Sequence, residues 1–273
     1  MIAMESSTRS LLICVLFVTS IMSCVSITAS ASVIPGHVAL LNEAEYVLST
    51  MKSSRYEYVT YVDAADGVYD FDCSGFVDYA LGQVAPAALA AIPYLPNHFN
   101  RQRAQDYYYF FARIGVEENG TAWGRVASPV NLLPGDVIAW LVTPNSDSDA
   151  TGHVMIVRSY PTIDPDRPNE TLVTVIDSTE SPHANDSRTD GQTGLGTGTI
   201  SLVLNSTGAA VGFRWRDGES MFVVYTKIAL GQLGPNQTTP PGTPVPEFGS
   251  GLLAACSSLF ASLLILRRRH KLK

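Results

Sequence analysis

Three residues in chain order can do acyl-transfer chemistry here: a thiol, Cys73, an imidazole, His153, and a carboxylate, Asp177. The chain has four cysteines, and Cys14, Cys24 and Cys256 fall in apolar segments near its two ends. The part between keeps one thiol and no possible internal disulfide. Outside a cell, such a thiol is an oxidisable liability unless it has a job. Asp72 suits an N-cap, so Cys73 opens a helix over Ser74 to Leu81. A helix N-terminus lowers a thiol pKa from its free value of about 8.5. The thiol needs a base, and the usual one is histidine. Among His37, His98, His153 and His183, only His153 begins a Val/Ile-rich strand, which fixes a ring better than the chain terminus or the loops that hold the others. If the strand Leu172 to Ile176 runs antiparallel to it, Asp177 at its end reaches the far ring nitrogen. An oxyanion needs donors; the backbone N–H of Cys73 is one and a tyrosine hydroxyl another. Each residue also has a plainer reading: an inert buried thiol, a satisfied strand histidine, a turn-forming aspartate before Ser178 and Thr179. The histidines lack metal-ligand spacing and there is no second cysteine, so neither metal nor cofactor is expected.

The elements that must position these groups form an α+β pattern. Apolar residues at Val38, Leu41, Ala44, Val47, Leu48 and Met51 make one face of a helix. A tyrosine-rich stretch with turn-forming aspartates, Tyr56 to Phe71, leads to Asp72. A further helix is expected near Gln102 to Phe111, with loops around it. From Leu132 the pattern turns to strands. Leu132-Leu133-Pro134-Gly135-Asp136 is a turn into Val137 to Val142. His153 to Ser159, Leu172 to Ile176, Thr199 to Leu204, Val211 to Trp215 and Met221 to Ile228 follow, with a long polar loop over Ser178 to Gly198. Helices first and antiparallel strands after predict helices packed on one antiparallel sheet. Asp136 and Trp140 read as structural, at a turn and in the core.

The ends read as targeting segments. Residues 1–31 resemble a secretory signal, with Arg9, an apolar run from Leu11 to Met22 and an Ala29-Ser30-Ala31 cleavage site; Ile21-Met22-Ser23-Cys24 offers a looser lipoprotein alternative. A Pro/Gly/Thr-rich linker, 231–248, precedes an apolar segment, 249–273, that ends in Arg267-Arg268-Arg269. Its apolar stretch, Gly251 to Leu266, is about the minimum length for a bilayer span. The domain between, 35–230, would then face outward. A net charge of −7 excludes a nucleic-acid partner held by phosphate contacts. Sequons at Asn119, Asn169, Asn185, Asn205 and Asn236 suit a cell surface.

Three blocks, Asp72-Cys73-Ser74-Gly75-Phe76-Val77, Leu133-Pro134-Gly135-Asp136-Val137-Ile138-Ala139-Trp140 and Gly152-His153-Val154-Met155-Ile156-Val157, resemble the NlpC-type cysteine peptidases, papain-like cell-wall hydrolases. The resemblance covers roughly Tyr58 to Ser178. It implies a papain-like α+β fold, Cys73 as nucleophile, His153 as general base, Asp177 as third polar residue and Tyr61 beside the oxyanion. It also implies a cell-wall or surface peptide as substrate. Tyr61-Val62-Asp63-Ala64-Ala65 departs from the family's Tyr-x-Trp-Gly-Gly, so the floor of the site should differ. The long gap between Cys73 and His153 predicts an insertion at about 85–131, with Pro93 to Val126 as a subdomain over the cleft. At the C-terminus, Val245-Pro246-Glu247-Phe248-Gly249, the apolar run and the arginines resemble PEF/PEP-type sorting signals. These imply an exosortase or archaeosortase partner, where the plainer reading is a membrane anchor. A catalytically inactive binding or adhesion module on the same scaffold, or an acyltransferase, are the rival functions.

Overall fold

The computed structural model describes residues 34–115, 122–142, 150–215 and 222–234. The signal segment, nearly all of the linker and the C-terminal segment lie outside them. No helix among the described residues is long and apolar enough to cross a membrane. Among the described residues, four α-helices precede the main sheet: α1 (Gly36–Thr50), α2 (Cys73–Val84), α3 (Pro86–Ala90) and α4 (Ala104–Arg113). A hairpin of β1 (Tyr61–Asp63) and β2 (Val68–Asp70) leads into α2. The sheet follows as β3 (Trp123–Val126), β4 (Val137–Leu141), β5 (Gly152–Val157), β6 (Thr162–Ile163), β7 (Glu170–Thr179), β8 (Gly194–Leu204), β9 (Ala210–Arg214), β10 (Val224–Tyr225) and β11 (Ile228–Leu233). Its order is β10-β9-β8-β7-β5-β4-β11-β3, with β6 on β7, and every pairing is antiparallel. The protein is thus of mixed α/β character, with a large antiparallel sheet and a few helices.

Strand periodicity splits the core in two. Val137, Ala139, Val154, Ile156 and Ile176 join the helices, packing with Leu40, Phe76 and Leu81. The alternate residues Ile138, Trp140, Met155, Val157, Val173 and Val175 pack on the other face.

Three boundaries differ from the sequence expectation. First, the described residues of 85–131 join the core and the sheet instead of forming a subdomain over a cleft. Tyr107 and Phe111 of α4 and Trp123 of β3 are buried in the helix-side core, and β3 extends the sheet beside β11. Phe111 is seated against Gly231, where a Cβ would come within 2.3 Å of its ring. Clustered aromatics at helical spacing here served burial. Second, Met221 to Ile228 is not one strand. The chain pairs with β9 over Val224–Tyr225 and then crosses to pair with β4 and β3 over Ile228–Leu233. The domain therefore runs past 230. Gly36 N–H donates to the Gly234 carbonyl, tying its two ends together. Third, the polar loop shrinks at both ends, because β7 and β8 pair from Glu170↔Val203 to Thr179↔Gly194.

Candidate active site

Cys73 begins α2 as the sequence suggests. The Asp72 side chain caps the helix, accepting from the Gly75 N–H at 2.6 Å and from the Ser74 hydroxyl at 3.2 Å. Arg101 holds this cap: one guanidinium nitrogen lies 2.8 Å from Asp72 Oδ2 and donates to the Tyr58 carbonyl, and the other donates to Ser74 Oγ at 2.7 Å. A residue from the supposed insertion thus braces the start of the helix that carries Cys73.

His153 is placed by a strand and by a glycine. Trp140 and His153 are paired across β4 and β5. Gly152 has φ +152°, and a Cβ there would come within 1.8 Å of the Trp140 carbonyl oxygen, so glycine is required. The β5–β7 ladder runs only through Ile156↔Ile176 and Val157↔Val175. Past its end, side chains join the two strands: His153 Nε2 lies 2.6 Å from Asp177 Oδ2. His153 also hydrogen-bonds Cys73.

Charge in this row is set by competing effects. Burial pushes the His153 pKa down, but the Cys73 charge, the hydrogen bonds to Asp177 and Cys73, and the Asp177 charge outweigh it and raise it to about 9. Burial pushes Asp177 up, yet the His183 charge, the His153 and His183 hydrogen bonds and the His153 charge hold it well below the ordinary carboxylate value. A thiol beside an imidazole that favours its cationic form can exist as a thiolate–imidazolium pair.

Cys73, His153 and Asp177 are brought together. Tyr61 does not join them: it sits in the β1–β2 hairpin, paired with Asp70 and 57% exposed. Tyr56, nearer Cys73 along a strand-like bridge, is half-buried. Its backbone bridges to Phe71, two residues before Cys73, and its pKa is raised, by burial first and then by the Cys73 and Asp72 charges. The hairpin turns the chain between Tyr61 and Cys73, so counting back from the nucleophile selects a residue that faces solvent.

Two residues of the β7–β8 loop complete the site, and sequence reasoning missed their roles. His183 Nε2 lies 2.8 Å from Asp177 Oδ2, and Arg188 donates to Asp177 Oδ1 at 2.9 Å and to the Asp177 and Gly194 carbonyls. Arg188 is itself held by Asp186. The signal was the grouping of His183, Asp186 and Arg188 in a short polar stretch after Asp177.

His153, Asp177 and His183 present ligand atoms within 4.8 Å of one another, enough to consider a cation. A tetrahedral zinc would set its ligand atoms roughly 3.4 Å apart. The two Nε2–Oδ2 separations, 2.6 and 2.8 Å, are hydrogen-bond lengths instead, and the Arg188 guanidinium already neutralises the carboxylate. The donor set fits a hydrogen-bonded network better than a metal centre.

No family model matches the chain, and no solved structure matches it. A protein of Acanthamoeba polyphaga mimivirus described as "Uncharacterized protein R653" is 35% identical over 163 residues, which span 53% of this chain and 67% of that protein. Its description carries no activity. At that identity and coverage, the chain belongs to the same family as this mimivirus protein.

Proposed function

We propose that the protein is a cysteine-type hydrolase of the papain-like kind, acting on amide bonds of cell-wall or cell-surface peptides. One arrangement carries the reading: a helix-capped thiol interacting with a histidine whose Nε2 is held by a buried aspartate. In the reaction, the Cys73 thiolate attacks the amide carbonyl. The His153 imidazolium gives its proton to the leaving amine as the C–N bond breaks. Water, deprotonated by His153, then opens the thioester and frees the thiol. Asp177 holds the ring and balances its charge without taking a proton. The Cys73 N–H and the Tyr56 hydroxyl are the donors near the developing oxyanion. The resemblance to NlpC-type peptidases supports the peptide substrate. The apolar ends support export to the cell surface, with a membrane-anchored or sortase-processed C-terminus.

Burial of Cys73, only 4% exposed, favours the rival reading of an inactive binding module. One experiment decides between them: the pH dependence of iodoacetamide alkylation of Cys73 in the full-length protein, with the labelled peptide identified by mass spectrometry because Cys14, Cys24 and Cys256 also react. Fast labelling below about pH 7 that collapses in His153→Ala supports the hydrolase and leads to a screen of peptidoglycan stem peptides. Labelling only near the free-thiol pKa of about 8.5, unchanged by the substitution, leaves the binding module.

A further inference from the structure

We propose that His183 is a positioning residue for the Cys73–His153 pair, acting through a carboxylate oxygen that it shares with His153. The inference rests on the hydrolase reading above. Asp177 Oδ2 lies 2.6 Å from His153 Nε2 and 2.8 Å from His183 Nε2. A carboxylate only accepts, so both rings present an Nε2–H to it. That sets the tautomer of His153 and leaves its Nδ1 for the thiol proton.

His183 has little other reason to be a histidine. Its side chain is fully buried, its Nδ1 has no hydrogen-bond partner, and its ring packs on Trp215 with centroids 4.0 Å apart. A leucine or phenylalanine would fill that space without stranding a polar atom, so the position's one polar use is the Nε2–H on Asp177. The rest of the loop seats the ring for it. Asp186 Oδ2 accepts the His183 backbone N–H at 2.7 Å, and Gly198 on β8 makes room, since a Cβ there would come 2.6 Å from that of His183. The charged and titratable groups facing His183 are Asp177 from β7, His153 from β5, and Asp186 and Arg188 from its own loop.

The consequence concerns the proton step. His153 alternates between imidazolium and imidazole as it gives its proton to the leaving amine and takes one back from water. Through that cycle, His183 keeps a second donor on Oδ2 and Arg188 keeps Oδ1, so Asp177 stays ionised and oriented while its charge balance with His153 changes.

The test measures Cys73 alkylation against pH in the full-length protein and its His183→Leu, His183→Gln and His153→Ala variants, with thermal unfolding to confirm folding. A glutamine amide reaches the Nε2 position and a leucine offers no donor. His183→Leu should slow labelling about tenfold between about pH 5 and 7 while leaving the rate at high pH unchanged, and His183→Gln should stay within about twofold of the parent. Should His183→Leu not fold, His183→Asn, whose amide falls at Nδ1, gives the same contrast with His183→Gln. A wild-type profile in His183→Leu beside a collapsed one in His153→Ala overturns the role of His183 alone. A wild-type profile in His153→Ala as well removes the catalytic pair, and the proposal falls with it.

Discussion

Asp177 is fully buried and Asp78 nearly so, and their pKa values move in opposite directions. Asp177 receives two histidine N–H groups on one oxygen and a guanidinium on the other, and its pKa is driven well below the ordinary value. Asp78, on α2, receives the Tyr107 hydroxyl at 2.6 Å on Oδ1, whereas Oδ2 has no hydrogen-bond partner and Arg101 stands 3.8 Å away. Burial therefore wins there and pushes the pKa up to about 7, against the pull of Tyr107 and Arg101. Burial alone protonates a carboxylate; a full set of donors keeps it charged. The charged one is held against His153, where an imidazolium needs a counter-charge.

The sharpest way to break this contrast is Asp177→Ala. Removing it strands Arg188 and His183 in the interior, and the expected loss is about 3–5 kcal/mol in urea unfolding. A loss under about 1 kcal/mol would mean that the network is not the tight cluster its distances describe. Because Asp177 is depressed in the folded state, its stabilisation is present above the unfolded pKa of about 3.8 and is lost only as pH falls through the lower folded value. Asp177 itself therefore adds no slope across pH 4–7, but because it also helps raise His153 to about 9, the Asp177→Ala deficit should grow as pH falls from about 9 toward the unfolded histidine value of about 6.5.

Asp78→Asn should behave in the opposite way. Its folded pKa is raised, so its stabilisation is complete below pH 3.8 and is lost as pH rises through about 7. Asparagine cannot titrate, so the variant should gain on the parent across that window, by about 2–4 kcal/mol in total. Unfolding free energies at a series of pH values check this, and a difference curve without slope would show that Asp78 is ionised throughout.

The smallest effect separates two tyrosines. Tyr56→Phe should slow Cys73 alkylation at neutral pH about threefold by removing a donor beside the thiolate, and Tyr61→Phe should leave it unchanged. The reverse ranking would restore Tyr61 to the site and displace Tyr56.

Much of this was legible in the residues. Although Asp177, expected to end its strand, is paired inside β7, which runs on to Thr179, Cys73 after a capping aspartate and His153 at the head of a Val/Ile strand follow from local signals, an N-cap and a period of two. The helix near Gln102 to Phe111 appears as Ala104–Arg113 for the same reason. What local signals missed depends on contacts far apart in sequence. Arg101 reaches back to Asp72, Phe111 packs under Gly231, and β11 inserts between β4 and β3 although it is the last strand. Spacing to Cys73 selected Tyr61, but the β1–β2 hairpin leaves that residue facing solvent. His183 looked like a loop residue because nothing local tells a polar loop that folds back over a strand end from one that stays in water. By itself the sequence determined which side chains could do chemistry and which element carries each. Only the tertiary structure decided which of them share one carboxylate, because hydrogen-bond partners, burial and the resulting charge states depend on how strands and loops close around Asp177.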